Sequence, residues 1–529
     1  MRKLSLISLI LTIALSACSR TARVIIQTPL PYTLVPTINQ VAPVPFEAYV
    51  YATRVPGSPI LTPTPDGAAG PFPTMTPMGA ALASAGSAGP QEYTVVAGDI
   101  PASIAEQFGI STADLLAAND MSEDSIIYPG DTLKIPSSGG SSPAANTGFS
   151  GAPANTSYFK IIPDSELVNG PLAAQFDLEA FINQKGGYLA SYTQDADGET
   201  LTGAQIVRRV ALDYSINPRA LLALLEYQTG WVTNPNPASA GSYVPITYVD
   251  DFHEGLYRQL TWSAAKLNEG FYGWKEKKLT SYSLPDGTTM VPNPGINAGT
   301  AAIMNLFAFF DNADQWQTDT GESGYYASFN ALFGYPFDLS IDPLVPKGLS
   351  QPALALPFQA GVTWQFTGGP HAGWDVGSAW AALDFAPPGE PVGCAPVDPW
   401  VVAMAPGLIV RSSNGAVVED LDGDGLEETG WTILYMHMAT DGRVAEGTRV
   451  AAGDLIGHPS CEGGLAEADH LHLARRYNGV WIPADDPSVP FVLGGFVTSG
   501  GSVEYDGLLT GHGKVVEAFN GSNPGNQIP

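Results

Sequence analysis

Basic residues are scarce in this sequence. Lysine and arginine number 23 against 52 aspartates and glutamates, giving a formal net charge of −29 over 529 residues. That balance argues against nucleic acid as a partner, because phosphate binding rests on clustered cations. It also argues against recruitment to an anionic polymer by charge alone, so a chain working there needs another targeting device. Long apolar runs near the start are missing as well. Met1-Arg2-Lys3 is followed by the apolar stretch Leu4 to Ser16, too short for a stable spanning helix and read as a secretory signal. Cysteine is rarer still: beyond Cys18 only Cys394 and Cys461 remain, so in an oxidising compartment they could form one disulfide and no more.

Histidine is also sparse, but it is unevenly placed. Five of the seven histidines fall between Gly368 and Arg476, as TGGPHAGW (His371), LYMHMA (His437), IGHPS (His458) and ADHLHLARR (His470, His472). In HLHL the imidazoles are i and i+2, so on a β-strand they share a face. Thr432 to Met438 is mostly apolar with β-branched and aromatic members, and reads as a buried strand carrying His437. Two histidines, one carboxylate and an open position for water make the usual ligand set of a catalytic zinc. The remaining imidazoles are then free for proton transfer and oxyanion stabilisation.

The separated motifs GGPH, LDFAPPGEPV, YMHM and CEGG…HLHL resemble, in order, the lysostaphin-type zinc endopeptidases of bacterial cell walls, the beta-lytic (staphylolysin) branch above all. The resemblance covers about the last third of the chain. Position by position it implies a zinc held by His371, Asp384 and His472, with His437 and His470 as catalytic imidazoles. His371-Ala372-Gly373-Trp374-Asp375 also fits an H-x-G-x-D form of the wider family, which would make Asp375 the ligand. Asp384 is preferred because the Pro/Gly-rich stretch Phe385 to Val392 follows it, as the resemblance requires. Cys461 matches a bridged cysteine of that branch; Cys394 does not match its usual partner, so a Cys394–Cys461 disulfide stays open.

From the start, Leu15-Ser16-Ala17-Cys18 resembles a bacterial lipobox, which implies an acylated Cys18 and a membrane anchor without a spanning helix. Residues 19–90 are a Pro/Thr/Ala/Gly linker, an extended tether averaging about 50 Å end to end. Residues 91–136 follow a β-α-α-β order, and YTVVAGD, IAEQFGIS, LLAAN and YPGDTLKIP resemble a LysM domain, implying binding to N-acetylglucosamine-containing glycan. Ile100-Pro101 departs from that pattern in the first loop.

A second linker, 137–157, leads to a mainly helical region over 158–345. Helices are expected over Gly203 to Tyr214, Pro218 to Gln228 and Gly299 to Phe310, with Asn217-Pro218 as a strong start. The segment Ser215 to Trp231 resembles the lytic transglycosylase (lysozyme-like) signature. Gln228 occupies the catalytic acid position and Glu226 lies about 200° around the helix, so the domain reads as inactive, either glycan-holding or purely structural. Residues 346–515 form the zinc peptidase domain and 516–529 a tail. Within it Asp420, Asp422, Asp424 and Gly425 resemble the start of a calcium loop, but Trp431 stands at the twelfth position and excludes a complete EF-hand. An acidic hairpin tip, with Ca2+ as a lesser expectation, is the reading. His253, His458 and His512 read as surface residues.

The fold class expected is multidomain α+β: a small βααβ LysM module, a mainly α lysozyme-like domain and a C-terminal antiparallel β-sheet zinc peptidase domain. The function expected is an extracytoplasmic, lipid-anchored peptidoglycan hydrolase using one Zn2+. The alternative is a non-catalytic wall-binding lipoprotein or adaptor that regulates other hydrolases.

Overall fold

The protein is described by a computed structural model over residues 91–95, 104, 115–116, 118–119, 121, 132–136, 159–249, 252–389 and 393–528. The signal segment, Cys18 and both linkers lie outside the described residues, as does most of the two short LysM helices. No helix among the described residues is long and apolar enough to cross a membrane.

In the first module β1 (Gln91–Thr94) pairs antiparallel with β2 (Thr132–Ile135). Val95, Ile104, Leu115, Leu133 and Ile135 close its small core. Asn119, the last residue of LLAAN, takes the Lys134 N–H at 2.7 Å and donates to the Leu115 and Lys134 carbonyls at 2.8 Å each. One amide thus joins helix end to strand.

Among the described residues seven helices of seven or more residues follow: α1 (Leu178–Lys185), α2 (Gly203–Tyr214), α3 (Pro218–Thr229), α4 (Leu256–Lys275), α5 (Ala298–Phe307), α6 (Ala313–Asp319) and α7 (Tyr325–Phe333). α2 starts where expected because Thr202 and Gln205 cap each other's backbone N–H, a capping box. α3 starts at Pro218 because Asn217 accepts from the Arg219 N–H and proline's missing donor costs nothing in the first turn.

The last part is built on a nine-stranded sheet. Its long strands are β3 (Trp364–His371), β4 (Ala382–Ala386), β5 (Gly407–Ser413), β6 (Ala416–Asp420), β7 (Trp431–Met436) and β8 (Leu471–Tyr477). The order runs from Arg449–Val450 through β5, β6, β7, β8, β4 and β3 to Gln527–Ile528. The segment expected as a tail from 516 on is therefore drawn into the fold through residue 528. Ile528 is fully buried and pairs with Trp364, covering a strand edge whose backbone groups would otherwise lack partners.

Period-two alternation separates the faces of this sheet. Leu383, Phe385, Ile433, Tyr435, Leu471 and Leu473 enter one core with Leu493, Phe496 and Leu509 of a second, four-stranded sheet. Ala382, Leu434 and Ala474 face the other way and share a core with the helices, together with Trp481. Fully burying one such tryptophan contributes about 4–6 kcal/mol by area. The face that carries His472 is therefore the face the helices cover.

One buried carboxyl gives a stability signature. Glu419 is fully buried on β6; its Oε2 accepts from the Tyr435 hydroxyl at 2.6 Å and its Oε1 has no partner. Burial raises its pKa from 4.5 to about 7, against the lowering pull of Tyr435. A carboxyl raised on folding stabilises the native state fully below its unfolded pKa and loses that contribution as pH rises through the folded one. Wild-type stability should thus fall by about 3 kcal/mol between pH 4.5 and pH 8 from this group alone. Glu419→Gln keeps an acceptor for Tyr435 and should remove that share of the fall, read as the difference between wild-type and variant denaturant melts across the window; Glu166, which burial also raises to about 7, keeps its own share.

Candidate active site

The site is assembled by register. In the ladder His472 on β8 stands directly opposite Asp384 on β4, and opposite Met436 on β7 on its other side. Directly opposed side chains on one face lie within contact distance. His371 closes β3, whose register to β4 slips between Gly368 and His371, pairing His371 with Ala382. A Cβ on Gly368 would meet the Asp384 carboxylate at 2.8 Å, so glycine there leaves room for that side chain.

Three atoms converge: His371 Nε2 and His472 Nδ1 are 3.0 Å apart, and Asp384 Oδ1 lies 3.2 Å from the first and 3.3 Å from the second. The tautomers are fixed from behind. His371 Nδ1–H donates to the Gly369 carbonyl at 2.8 Å, and His472 Nε2–H donates to the Gly373 carbonyl at 3.1 Å. A carbonyl only accepts, so both facing nitrogens carry lone pairs. Asp384 Oδ1 is a buried oxygen without a hydrogen-bond donor. Three acceptors crowded together demand a cation. Tetrahedral zinc with bonds of about 2.0–2.1 Å spaces its ligands about 3.3 Å apart, so the donor set fits that ion.

The other expected imidazoles stand beside this triangle. The His437 ring centroid is 6.0 Å from that of His472 and 4.4 Å from that of His470. His437 is not on the strand as expected: β7 ends at Met436, and His437 takes a left-handed backbone with φ of 64°. Strained non-glycine residues of this kind cluster at functional sites. Its Nδ1–H donates to the Glu462 carbonyl at 2.9 Å, leaving Nε2 as an acceptor. Burial, with His470 and His472 adding to it, lowers its pKa to about 3. His470 Nδ1–H donates to the Ala468 carbonyl at 2.9 Å, and its Nε2 lies 3.8 Å from Asp384 Oδ1.

Asp375 is placed elsewhere. Its Oδ2 accepts from the Tyr214 hydroxyl of α2 at 2.7 Å, and it takes no part in the converging set. Cys394 and Cys461 form a disulfide that ties the loops flanking Asp469 and His470. Asp420, Asp422 and Asp424 accept from their own loop's N–H groups and from Thr429, so the loop is a self-bonded hairpin tip and the calcium expectation finds no support. His458 packs on Trp400 at 3.8 Å and His512 is exposed, bonded to the Gly494 carbonyl. His253 is half-buried near Tyr248.

Tyr505 escaped the sequence reading. Its ring stacks on His371 with centroids 4.4 Å apart, and its backbone accepts from Gly369 N–H and donates to the Pro370 carbonyl. The one local hint is its position in a Glu-Tyr-Asp-Gly turn, a weak signal. The site opens into a cleft of about 1080 Å³, lined by His371, His437, His470, His472 and Tyr505 and by Asp197, Arg209 and Tyr257 of the helical region. A second pocket of about 500 Å³, lined by Pro387, Pro388 and Val397, adjoins Asp384, His470 and Tyr505.

Residues 160–344 match the family model described as LasA, N-terminal domain, and residues 93–136 match that of the LysM domain. Over 363 residues, 65% of this chain and 79% of the relative, the sequence is 25% identical to Protease LasA of two Pseudomonas aeruginosa strains. Among solved structures, a deep-sea M23 metalloprotease, Pseudoalterin, aligns over 32% of this chain and 98% of its own at 23% identity and a TM-score of 0.26. The catalytic domain of lysostaphin from Staphylococcus simulans aligns over 24% of this chain and 89% of its own at 24% identity and a TM-score of 0.17. The helical region, expected as lysozyme-like, is thus matched by the LasA N-terminal domain. The domain matches and the homology to a protease together support a LysM-containing peptidase.

Proposed function

We propose that this chain is a membrane-tethered peptidoglycan hydrolase, a zinc endopeptidase that cuts a peptide bond in the stem or cross-bridge while its LysM module holds the glycan. One observation carries the reading: two imidazole nitrogens with fixed lone pairs and one donor-free carboxylate oxygen lie within 3.3 Å of one another at the floor of a cleft. His371, Asp384 and His472 would hold the zinc. Bound there, zinc supplies Lewis acidity for the scissile carbonyl and for a water.

The chain's own groups do the rest. His437, kept neutral by burial, presents Nε2 to take a proton from the attacking water and pass it to the leaving amine. His470 presents Nε2 beside Asp384, where in its protonated form it donates to the oxyanion. The similarity to Protease LasA supports peptide-bond hydrolysis, the LysM match supports a wall glycan as partner, and the lipobox ending at Cys18 supports the anchor.

The helical region reads as non-catalytic. Glu226 accepts from the Val232 and Thr233 N–H groups and the Thr233 hydroxyl, closing the turn after α3, and Gln228 accepts from Thr247. Neither is free to act as a glycosidase acid.

Chelating the metal should cut release of new amino groups from insoluble peptidoglycan by at least about 10³-fold, and added zinc should restore it. Cosedimentation with the same peptidoglycan should persist in chelator, because the LysM module is separate from the site. Undiminished release from a chelator-treated, metal-free chain contradicts the reading.

A further inference from the structure

The C-terminal end of α2 holds the sheet with four successive residues. The Leu212 carbonyl accepts from Arg476 Nη1 at 3.3 Å, and Asp213 Oδ1 accepts from Arg411 Nη1 at 2.6 Å. The Tyr214 hydroxyl donates to Asp375 Oδ2 at 2.7 Å, and Ser215 Oγ donates to the Gly479 carbonyl at 2.6 Å. Two arginines at a helix C-terminus suit the negative end of its dipole, and Glu427 bridges them at 3.1 and 2.5 Å.

Two of these attachments, at Arg476 and at Asp375, land on the elements that carry the metal ligands. Arg476 is four residues after His472 on β8 and shares its face. Asp375 ends a five-residue loop that begins at His371. In the middle of that loop the Gly373 carbonyl holds His472 Nε2, as described above. The loop has little slack elsewhere: a Cβ on Gly373 would meet the Trp481 ring at 2.7 Å, and Trp481 N–H is itself fixed by the Tyr272 hydroxyl of α4 at 2.9 Å.

We propose that Tyr214, through its hydrogen bond to Asp375, is a positioning residue for the metal site. It pins the 371–375 loop so that His371 Nε2, and through the Gly373 carbonyl His472 Nδ1, keep the spacing one divalent ion requires. Tyr214 is buried and its acceptor is a carboxylate, so this bond belongs to the stronger, charge-assisted kind. The inference rests on the reading that His371, Asp384 and His472 hold a metal. It also accounts for a carboxylate of suitable spacing in the sequence that stays out of the ligand set.

The test uses Tyr214→Phe and Asp375→Asn in the full chain, with Ser215→Ala as the neighbouring attachment that touches no ligand-bearing loop. Zinc affinity is read by competition with a chromophoric chelator, and geometry by the visible absorption of the cobalt-substituted protein. Tyr214→Phe and Asp375→Asn should each weaken zinc about 10–100-fold, the range for partners that orient ligands. Each should also alter the cobalt bands and lower kcat with little change in KM, and the double variant should lose no more than either single one. Ser215→Ala should keep wild-type affinity and bands. Wild-type affinity and cobalt bands in both Tyr214→Phe and Asp375→Asn overturn the proposal, as does an equal loss in Ser215→Ala. A wild-type chain that binds no zinc overturns the metal reading itself.

Discussion

Alanine at His472 is expected to leave a chain without stoichiometric zinc and to cut peptide release from peptidoglycan by at least about 10³-fold, several kcal/mol of lost transition-state stabilisation. His472 is the member of the converging set that the ladder places between β4 and β7, and its Nδ1 lies 3.0 Å from His371 Nε2 and 3.3 Å from Asp384 Oδ1. Without it two ligands remain, too few for the closed three-point grip of a catalytic zinc. Asp384→Asn should behave similarly: it keeps the shape of the side chain but removes the charge that balances the ion. His458→Ala, by contrast, removes a ring packed on Trp400 and should leave zinc content and turnover unchanged. Elemental analysis alongside amine release separates the outcomes. A His472→Ala chain that keeps one zinc and wild-type turnover would contradict the assignment.

The second large effect is at His437. Removing its proton acceptor should lower turnover about 10²–10⁴-fold, the usual contribution of a positioned acid–base group, with zinc content unchanged. Backbone conformation supplies an independent signature. At φ of 64° an L-residue is strained, whereas glycine is at ease. His437→Gly and His437→Ala should therefore be equally inactive, yet the glycine variant should be the more stable of the two by about 1 kcal/mol. Denaturant melts of both proteins in chelator check this. Equal stability would show that the left-handed turn does not constrain the residue there.

What the sequence carried well was local and periodic. Asn217-Pro218 marked the start of α3, and HLHL placed His472 on one face of a strand because side chains alternate along it. The pairing of His371 with Asp384 came from the family resemblance, with Asp375 as the alternative, and the fold brings His371 and Asp384 to 3.2 Å of each other. Elsewhere the determining contacts cross long stretches of chain. Nothing near Asp375 announces Tyr214, 161 residues earlier, and nothing near Tyr505 announces a stacking partner at His371. The apolar run around His437 reads as continuous strand; only the pairing of Met438 with Pro459, and of the Ser460 N–H with the His437 carbonyl, turns the backbone out of it. Gln527–Ile528 looks like a loose end until the exposed edge of β3 is there to receive it.

The most direct measurement is an anomalous difference map collected at the zinc absorption edge from crystals of the full chain grown with stoichiometric zinc. A single strong peak about 2 Å from His371 Nε2, Asp384 Oδ1 and His472 Nδ1 is the predicted result. A peak at the Asp420–Asp424 loop alone, or none within coordination distance of the two histidines, would contradict it.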